Sequence, residues 1–390
     1  MQSRIEKVRK ILIQEKADAL LVWNGEGSGQ PATAWLSGFS GTSSALLFAR
    51  EKILSMGEFA TSFSRPPATS FRKGGIRIRA FLITDGRYTA QSKKEANGFK
   101  IFITSRERTA TQILESLCKQ YHLHRIVFDG SVTSYSAIED ITKAISAVNF
   151  LSRKRVLQEL RMVKDTEEIR LLKKAGDITV RAFMRLLPEL YSGMTEKEIA
   201  QRLEMLCIEE GSEGVAFPTI VASGKNGAFP HARVTDKEIK NGELVTIDFG
   251  VRYKGYVSDM TRTVGIGKIG SRLKRMYEAV RKAQELGCKK AKAGVTGGKI
   301  DAVCRNYLEK KGFGKYFTHS TGHGIGIEVH ELPLVSFRQN TKMPVGAVIT
   351  CEPGVYIPNV GGARIEDALV LTKRGNLKLT EGIPKELIVL

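Results

Sequence analysis

The chain has 390 residues, 42% of them hydrophobic and 26% charged, with 38 glycines and 11 prolines, a composition that excludes disordered, collagenous and fibrous proteins. Lysine and arginine number 61 against 41 acidic residues, a formal charge of +20; spread along the chain, this favours weak, salt-sensitive contact with nucleic acid or acidic surfaces and names no specific partner. Five well-separated cysteines (Cys118, Cys207, Cys288, Cys304, Cys351) form no CxxC pair, so neither a disulfide framework nor a zinc ribbon is expected, and a reducing cytoplasm fits best.

The N-terminal MQSRIEKVRKILIQEK mixes acids and bases at helical spacing and reads as a first helix, not an export signal. No apolar run reaches the roughly 20 residues that span a bilayer, so no membrane is expected as a partner. Short apolar strands follow at ADALLVW, SSALLF, AFLITDGRY and HRIVFDG, separated by helical segments, which predicts an α/β domain. Between Ala49 and Arg79 the period lapses into a basic stretch, SFSRPPATSFRKGGIRIR, expected as a long surface loop or insertion. His122 and His124, on a charged helix end without acidic partners, are read as structural.

The charged run SRKRVLQELRMVKDTEE marks a boundary, giving domains at 1–155 and 156–390, and Asp165 or Thr166 is placed to cap a long helix reaching about Leu190. Beyond it a shift of 101 residues superposes GMTEKEIAQRLEMLCIEEG (Gly193 to Gly211) on GVTGGKIDAVCRNYLEKKG (Gly294 to Gly312) without a gap. In each copy a threonine, Thr195 or Thr296, stands at a helix N-cap. Two helices followed by strands, repeated once, predict an α+β domain with a pseudo-twofold internal repeat.

The strands after each copy carry the chemistry. In LVTIDFGVRYKGYVSDMTRT, a two-residue turn at Tyr253-Lys254 sets Asp248 directly opposite Asp259; cross-strand carboxylates about 5 Å apart repel unless a cation lies between them. In AVITCEPGVYIPNVGGARIEDALVL, Glu352 and Glu366 lie evenly about a turn near Asn359. Four carboxylates converging from two related hairpins fit a pair of divalent cations. Four of the six histidines, His231, His319, His323 and His330, fall in the same part of the chain, with His323 in the glycine-rich TGHGIGIEVHE.

The runs SGKNGAFPHA, VTIDFG, GYVSDMTRT, HSTGHGIGIEVHE, CEPGVYIP and GARIEDALVL together resemble the metallopeptidase family of methionine aminopeptidase, aminopeptidase P, prolidase and creatinase, from Val156 to Leu390. WLSGFSGTSSALL and LITDGRY resemble, more weakly, the creatinase/prolidase N-terminal domain. The resemblance implies a pita-bread catalytic domain in which Asp259 and Glu366 bridge two metals, Asp248 completes one, and His323 with Glu352 completes the other. It implies manganese ahead of cobalt or zinc, a homodimer, and substrates with proline at the second position.

It further implies that Glu352 carries the proton of the attacking water to the leaving prolyl nitrogen, that His231 and His330 stabilise the oxyanion and hold the substrate, and that His319 lines the pocket. Arg364 is expected to bind a substrate carboxylate or to steady the cleft. A full ligand set disfavours creatine chemistry. The resemblance points to an aminopeptidase P acting on Xaa-Pro peptides, with an Xaa-Pro dipeptidase as the alternative; a pseudo-enzyme binding nucleic acid or protein is the remoter reading, and specific nucleic-acid recognition is not expected.

Overall fold

In the computed structural model, which describes residues 2–27, 29–51, 70–73 and 76–390, the chain forms two compact units, Met1–Leu160 and Arg161–Leu390. The division falls a few residues beyond the position expected from the charged run.

The first unit runs α1 (Gln2–Gln14), β1 (Ala19–Asn24), α2 (Pro31–Ser37), β2 (Ser44–Glu51), β3 (Ser70–Lys73), β4 (Ile76–Thr84), α3 (Thr89–Glu95), β5 (Lys100–Ile103), α4 (Ala110–Gln120), β6 (Arg125–Asp129), α5 (Tyr135–Ala144), β7 (Asn149–Arg153) and α6 (Val156–Arg161). Its seven strands form one mixed sheet in the order β3-β4-β2-β1-β6-β7, with β5 paired to β4. Alternation along the strands sends Leu21, Leu47 and Phe81 into a core with Ile113 and Leu117 of α4 and Ile141 of α5. Leu20, Leu46 and Leu82 are as fully buried on the opposite face. Each such side chain contributes about 1.5–3 kcal/mol when taken from water.

The loop expected over residues 49–79 is corrected at both margins. Ala49 to Glu51 continue β2, Ser70 to Lys73 form β3, and Ile76 begins β4, which pairs with β2 from Ser44↔Thr84 to Glu51↔Arg77. Arginines at every second position of IRIR leave Ile78 to be buried, an alternation too short to stand out in a basic stretch. The remainder of that stretch lies outside the described residues.

The second unit repeats one plan twice. The first half has α7 (Thr166–Leu186), α8 (Glu196–Glu209), β8 (Ile220–Ser223), β9 (Leu244–Phe249), β10 (Arg252–Tyr253), β11 (Tyr256–Val257) and β12 (Met260–Gly265). The second half has α9 (Ser271–Lys290), α10 (Gly297–Lys310), β13 (Gly322–Gly324), β14 (Glu331–Val335), β15 (Val348–Cys351), β16 (Gly354–Ile357), β17 (Gly361–Arg364), β18 (Asp367–Leu371) and β19 (Asn376–Lys378). A sheet ordered β12-β9-β8 packs with α7 and α8 through Ile178, Phe183, Leu203, Ile247 and Val264. A sheet ordered β14-β13-β15-β18-β19 packs with α9 and α10 through Val280, Ile300, Leu308, Ile349 and Leu369.

The helix starts follow from local side chains. Asp165 caps α7 in a reciprocal box with Glu168, and Thr195 caps α8 in the same way with Glu198. Thr296 accepts from the Lys299 amide at the start of α10. Such caps contribute about 1 kcal/mol each and set where the helices begin.

Candidate metal centre

The first hairpin differs from its expected register. Its turn is Lys254-Gly255, both at positive φ (47° and 76°), so glycine occupies a position that few other residues tolerate. Arg252 then pairs with Val257, and in the outer ladder Asp248 stands opposite Thr261, not Asp259. Asp259 lies between the end of β11 and the start of β12, where the ladder is interrupted: a Cβ on Gly250 would come within 1.9 Å of the Ser258 carbonyl oxygen. The second hairpin has the expected register. Val348↔Val370 on one side and Gly354↔Arg364 on the other carry the same alignment across the gap that holds Glu352 and Glu366.

His323 is the middle residue of β13, between β14 and β15. Side chains on its two glycine neighbours would drive into backbone, Gly322 against the Thr350 oxygen at 2.2 Å and Gly324 against the Leu332 oxygen at 2.3 Å. Their absence lets the strand sit close enough to bring the imidazole inward. His323 Nδ1 lies 3.0 Å from the Gly324 carbonyl, to which only a protonated nitrogen can donate, so the lone pair is on Nε2. That nitrogen faces Glu352 Oε1 at 3.3 Å and Asp259 Oδ2 at 3.6 Å.

Asp259, His323 and Glu366 each offer a ligand atom within 4.8 Å of the others. Glu366 Oε2 accepts from Thr261 Oγ1 at 2.7 Å, and its amide donates to the Thr261 carbonyl at 3.1 Å, tying the second half of the repeat to β12. Arg364 joins the halves a second time, donating to Asp248 Oδ2 at 2.6 Å. Asp248, Asp259, His323, Glu352 and Glu366 therefore converge on one pocket.

Burial, followed by the charges of Asp248 and Glu352, holds the Asp259 carboxyl well above the usual carboxylate range. Glu366 is raised in the same way, by burial and then by Asp259. Glu352 is pushed up to about 7, again chiefly by burial. Two buried carboxylate oxygens, Asp248 Oδ1 and Glu366 Oε1, have no hydrogen-bond partner among the described residues. A buried carboxyl oxygen without a partner is costly, and one of the two orphans belongs to Glu366, which offers a ligand atom within 4.8 Å of those of His323 and Asp259. Hard oxygen donors with one nitrogen are the donor set of a divalent transition-metal cation, so the residues present fit that group.

The remaining expected residues sit around this pocket. His330 is solvent-reachable, its ring centroid 4.4 Å from that of His323, and partial burial followed by the nearby imidazoles keeps its pKa below the ordinary value. His231 is exposed, and the preceding Pro230 is anchored by its carbonyl to Arg364 Nη1 at 3.1 Å. His319 has both ring nitrogens engaged, Nδ1 with the Ser320 carbonyl at 2.7 Å and Nε2 with the Tyr356 hydroxyl at 2.9 Å; burial lowers its pKa to about 4, so the ring is neutral. Arg364 is buried and satisfied internally by Asp248, Thr261, Pro230 and Tyr356.

Two residues at the site went unnoticed in the sequence. Tyr356 links Arg364 (2.7 Å) to His319, and Thr261 holds both Glu366 and Arg364. Strand alternation from Glu352 through Gly354 to Tyr356 is the signal that places the tyrosine on the glutamate's face.

The sequence pattern of metallopeptidase family M24 matches residues 170–373, and that of the Creatinase/Prolidase N-terminal domain matches residues 77–163. The chain is 42% identical over 247 residues to the Xaa-Pro dipeptidase of Pyrococcus horikoshii, covering 63% of this chain and 70% of that protein. Its structure is similar to that of the Xaa-Pro dipeptidase from Bacillus anthracis, with a TM-score of 0.87, 35% identity and 99% of both chains covered. It is also similar to the X-Pro aminopeptidase from Thermotoga maritima, with a TM-score of 0.82 and 36% identity over 98% of this chain and 100% of that one.

Proposed function

Since the chain belongs to metallopeptidase family M24, with the Creatinase/Prolidase N-terminal domain ahead of its pita-bread catalytic domain, we propose that it is a divalent-cation-dependent hydrolase of the prolidase type, cleaving Xaa-Pro dipeptides. The motifs alone rank aminopeptidase P first. The likeness to two Xaa-Pro dipeptidases, one of them over nearly the whole of both chains, supports the reverse order. The likeness to the Thermotoga enzyme keeps the aminopeptidase as the second reading.

One observation carries the proposal: Asp259, His323 and Glu366 meet within 4.8 Å beside buried carboxylate oxygens that lack partners. Asp248, Asp259, His323, Glu352 and Glu366 would hold two divalent cations, manganese ahead of cobalt or zinc. When bound, such cations polarise a peptide carbonyl and lower the pKa of water. Glu352, raised to about 7 and partly open to solvent, is poised to take the attacking water's proton on a carboxylate oxygen and return it to the prolyl nitrogen.

His231 and His330, at the open side, are assigned to the oxyanion and to substrate positioning. His319, with both nitrogens engaged, is assigned to the pocket wall. Arg364, with its donors committed inside the protein, is assigned to steadying Asp248 rather than to binding a substrate carboxylate. A homodimer in the cytoplasm completes the proposal, resting on the resemblance and on five buried cysteines that are all free.

Initial rates on Ala-Pro and Ala-Pro-Ala with manganese-loaded protein test it. Strong preference for the dipeptide is expected. Preference for the tripeptide would select the aminopeptidase reading, and failure to cleave either would remove both.

A further inference from the structure

The positive charge is less evenly spread in space than along the chain. Residues 286–300, 336–347 and 372–380 hold nine lysines or arginines and no aspartate or glutamate. Backbone hydrogen bonds gather these segments into one surface. The Ala293 amide donates to Thr372 (3.1 Å), Gly294 to Met343 (2.8 Å) and Gly298 to Gln339 (2.8 Å). Asn376 Nδ2 closes the C-terminus of α9, donating to the Cys288 and Ala291 carbonyls at 2.7 Å each.

Lys289, Lys290 and Lys292 are exposed on the first segment, Arg338 and Lys342 on the second, and Lys373 and Arg374 on the third. None of these seven takes part in an ion pair among the described residues. The nearest acid earlier on α9, Glu285, is engaged by Lys282 at 3.0 Å. Exposed cations without acidic partners on segments joined in this way favour a polyanion, which releases its own counterions on binding.

Phe337 stands 62% exposed within the patch, with the Arg338 guanidinium 5.0 Å from its ring centroid. An exposed aromatic face beside an arginine is a stacking platform for an unpaired base. It is poorly suited to acyl chains, because burying the ring in lipid would drag the guanidinium with it.

We propose that this face binds single-stranded nucleic acid through its phosphates, without regard to base sequence, with Phe337 stacking on one base. Hydrolysis of a dipeptide makes no use of such a surface, and the proposal stands independently of the peptidase reading.

The test is fluorescence anisotropy of a labelled oligouridine of about 20 nucleotides with the metal-loaded full chain. Binding at 50 mM salt should weaken about 100-fold by 200 mM, the slope expected for roughly five phosphate contacts on a single strand. The triple variant Lys289→Glu/Lys290→Glu/Lys292→Glu should bind at least about tenfold more weakly, with a shallower salt slope and unchanged Ala-Pro hydrolysis. Lys373→Glu/Arg374→Glu, a separate substitution on another segment, should act in the same direction. Phe337→Ala should lose about 5- to 100-fold from the missing stack.

No binding at low salt, or binding untouched by both charge reversals, would overturn the proposal. So would capture by phosphatidylserine vesicles, abolished by the same variants, in protein that ignores the oligonucleotide.

Discussion

Arg364 donates through Nη2 to Asp248 Oδ2 at 2.6 Å, while the other oxygen of the same carboxylate, Oδ1, is buried without a partner among the described residues. One oxygen is oriented by the protein, and the proposal assigns the other to a cation. Arg364→Met should therefore weaken metal binding by about 10- to 100-fold, as loss of an outer-shell partner commonly does. It should also cost about 3–5 kcal/mol, because Asp248 becomes an unpaired buried charge. Competitive metal titration and urea unfolding read the two effects, and unchanged metal affinity would contradict the assignment.

Asp259→Asn keeps the shape of the side chain and removes the ionisable carboxyl whose ligand atom lies within 4.8 Å of those of His323 and Glu366. Metal content measured on the purified variant should fall below two ions per chain, cleavage should drop by several orders of magnitude, and circular dichroism should stay that of the parent. Full turnover with two bound ions would show that Asp259 does not bridge them.

Chelated protein should become less stable as pH rises. Burial lifts the folded pKa of Glu352 from 4.5 to about 7. A carboxyl whose folded value lies above its unfolded value favours folding fully below the unfolded pKa and loses that contribution as pH rises through the folded one. Between about pH 4.5 and 7 the loss is on the order of 3 kcal/mol. A saturating divalent cation takes the place of the protons, so thermal melts across this window should diverge with pH in chelator and run together with metal. Parallel melts under both conditions would argue against a cation site.

Asp367 behaves in the opposite sense. Burial alone would raise its carboxyl, but Arg262 at 2.7 Å and Lys385 at 2.5 Å pull it down to about 2. Its contribution is complete above the unfolded value of about 3.9 and is lost as pH falls toward 2, about 2 kcal/mol in all. Asp367→Asn should flatten the acid limb of the stability profile and lower stability at neutral pH, leaving two cations without their partner. An unchanged acid limb would show that the pair is not coupled to folding.

The parts of the fold that local chemistry dictates were legible in the residues. Thr195 and Thr296 cap equivalent helices because each threonine precedes the same apolar spacing, and the doubling of the plan follows from that shift. The alignment of Glu352 with Glu366 is readable from the turn near Asn359 because the ladder on either side keeps one register. Asp248 and Asp259 are not a direct pair, because Gly255, at positive φ, moves the turn one step along the chain and sets Thr261 opposite Asp248 instead.

Contacts between distant segments were not legible. Arg364 sits two residues before Glu366, yet its partners Asp248, Pro230 and Tyr356 come from other elements, so a role in steadying the centre could only be one of several readings. The basic patch is similar: its cations lie in three segments that backbone hydrogen bonds bring together. Whether a peptide longer than two residues is accepted depends on the shape of the cleft, which no motif encodes.

The central claim is that the pocket of Asp248, Asp259, His323, Glu352 and Glu366 exists to hold divalent cations for hydrolysis. Its most direct test is a manganese titration of fully chelated protein, following bound metal and Ala-Pro hydrolysis in the same sample. The account predicts that two ions bind per chain and that activity, absent at the start, returns in step with them. Hydrolysis that persists at zero bound metal, or a pocket that takes up no ion at all, would contradict it.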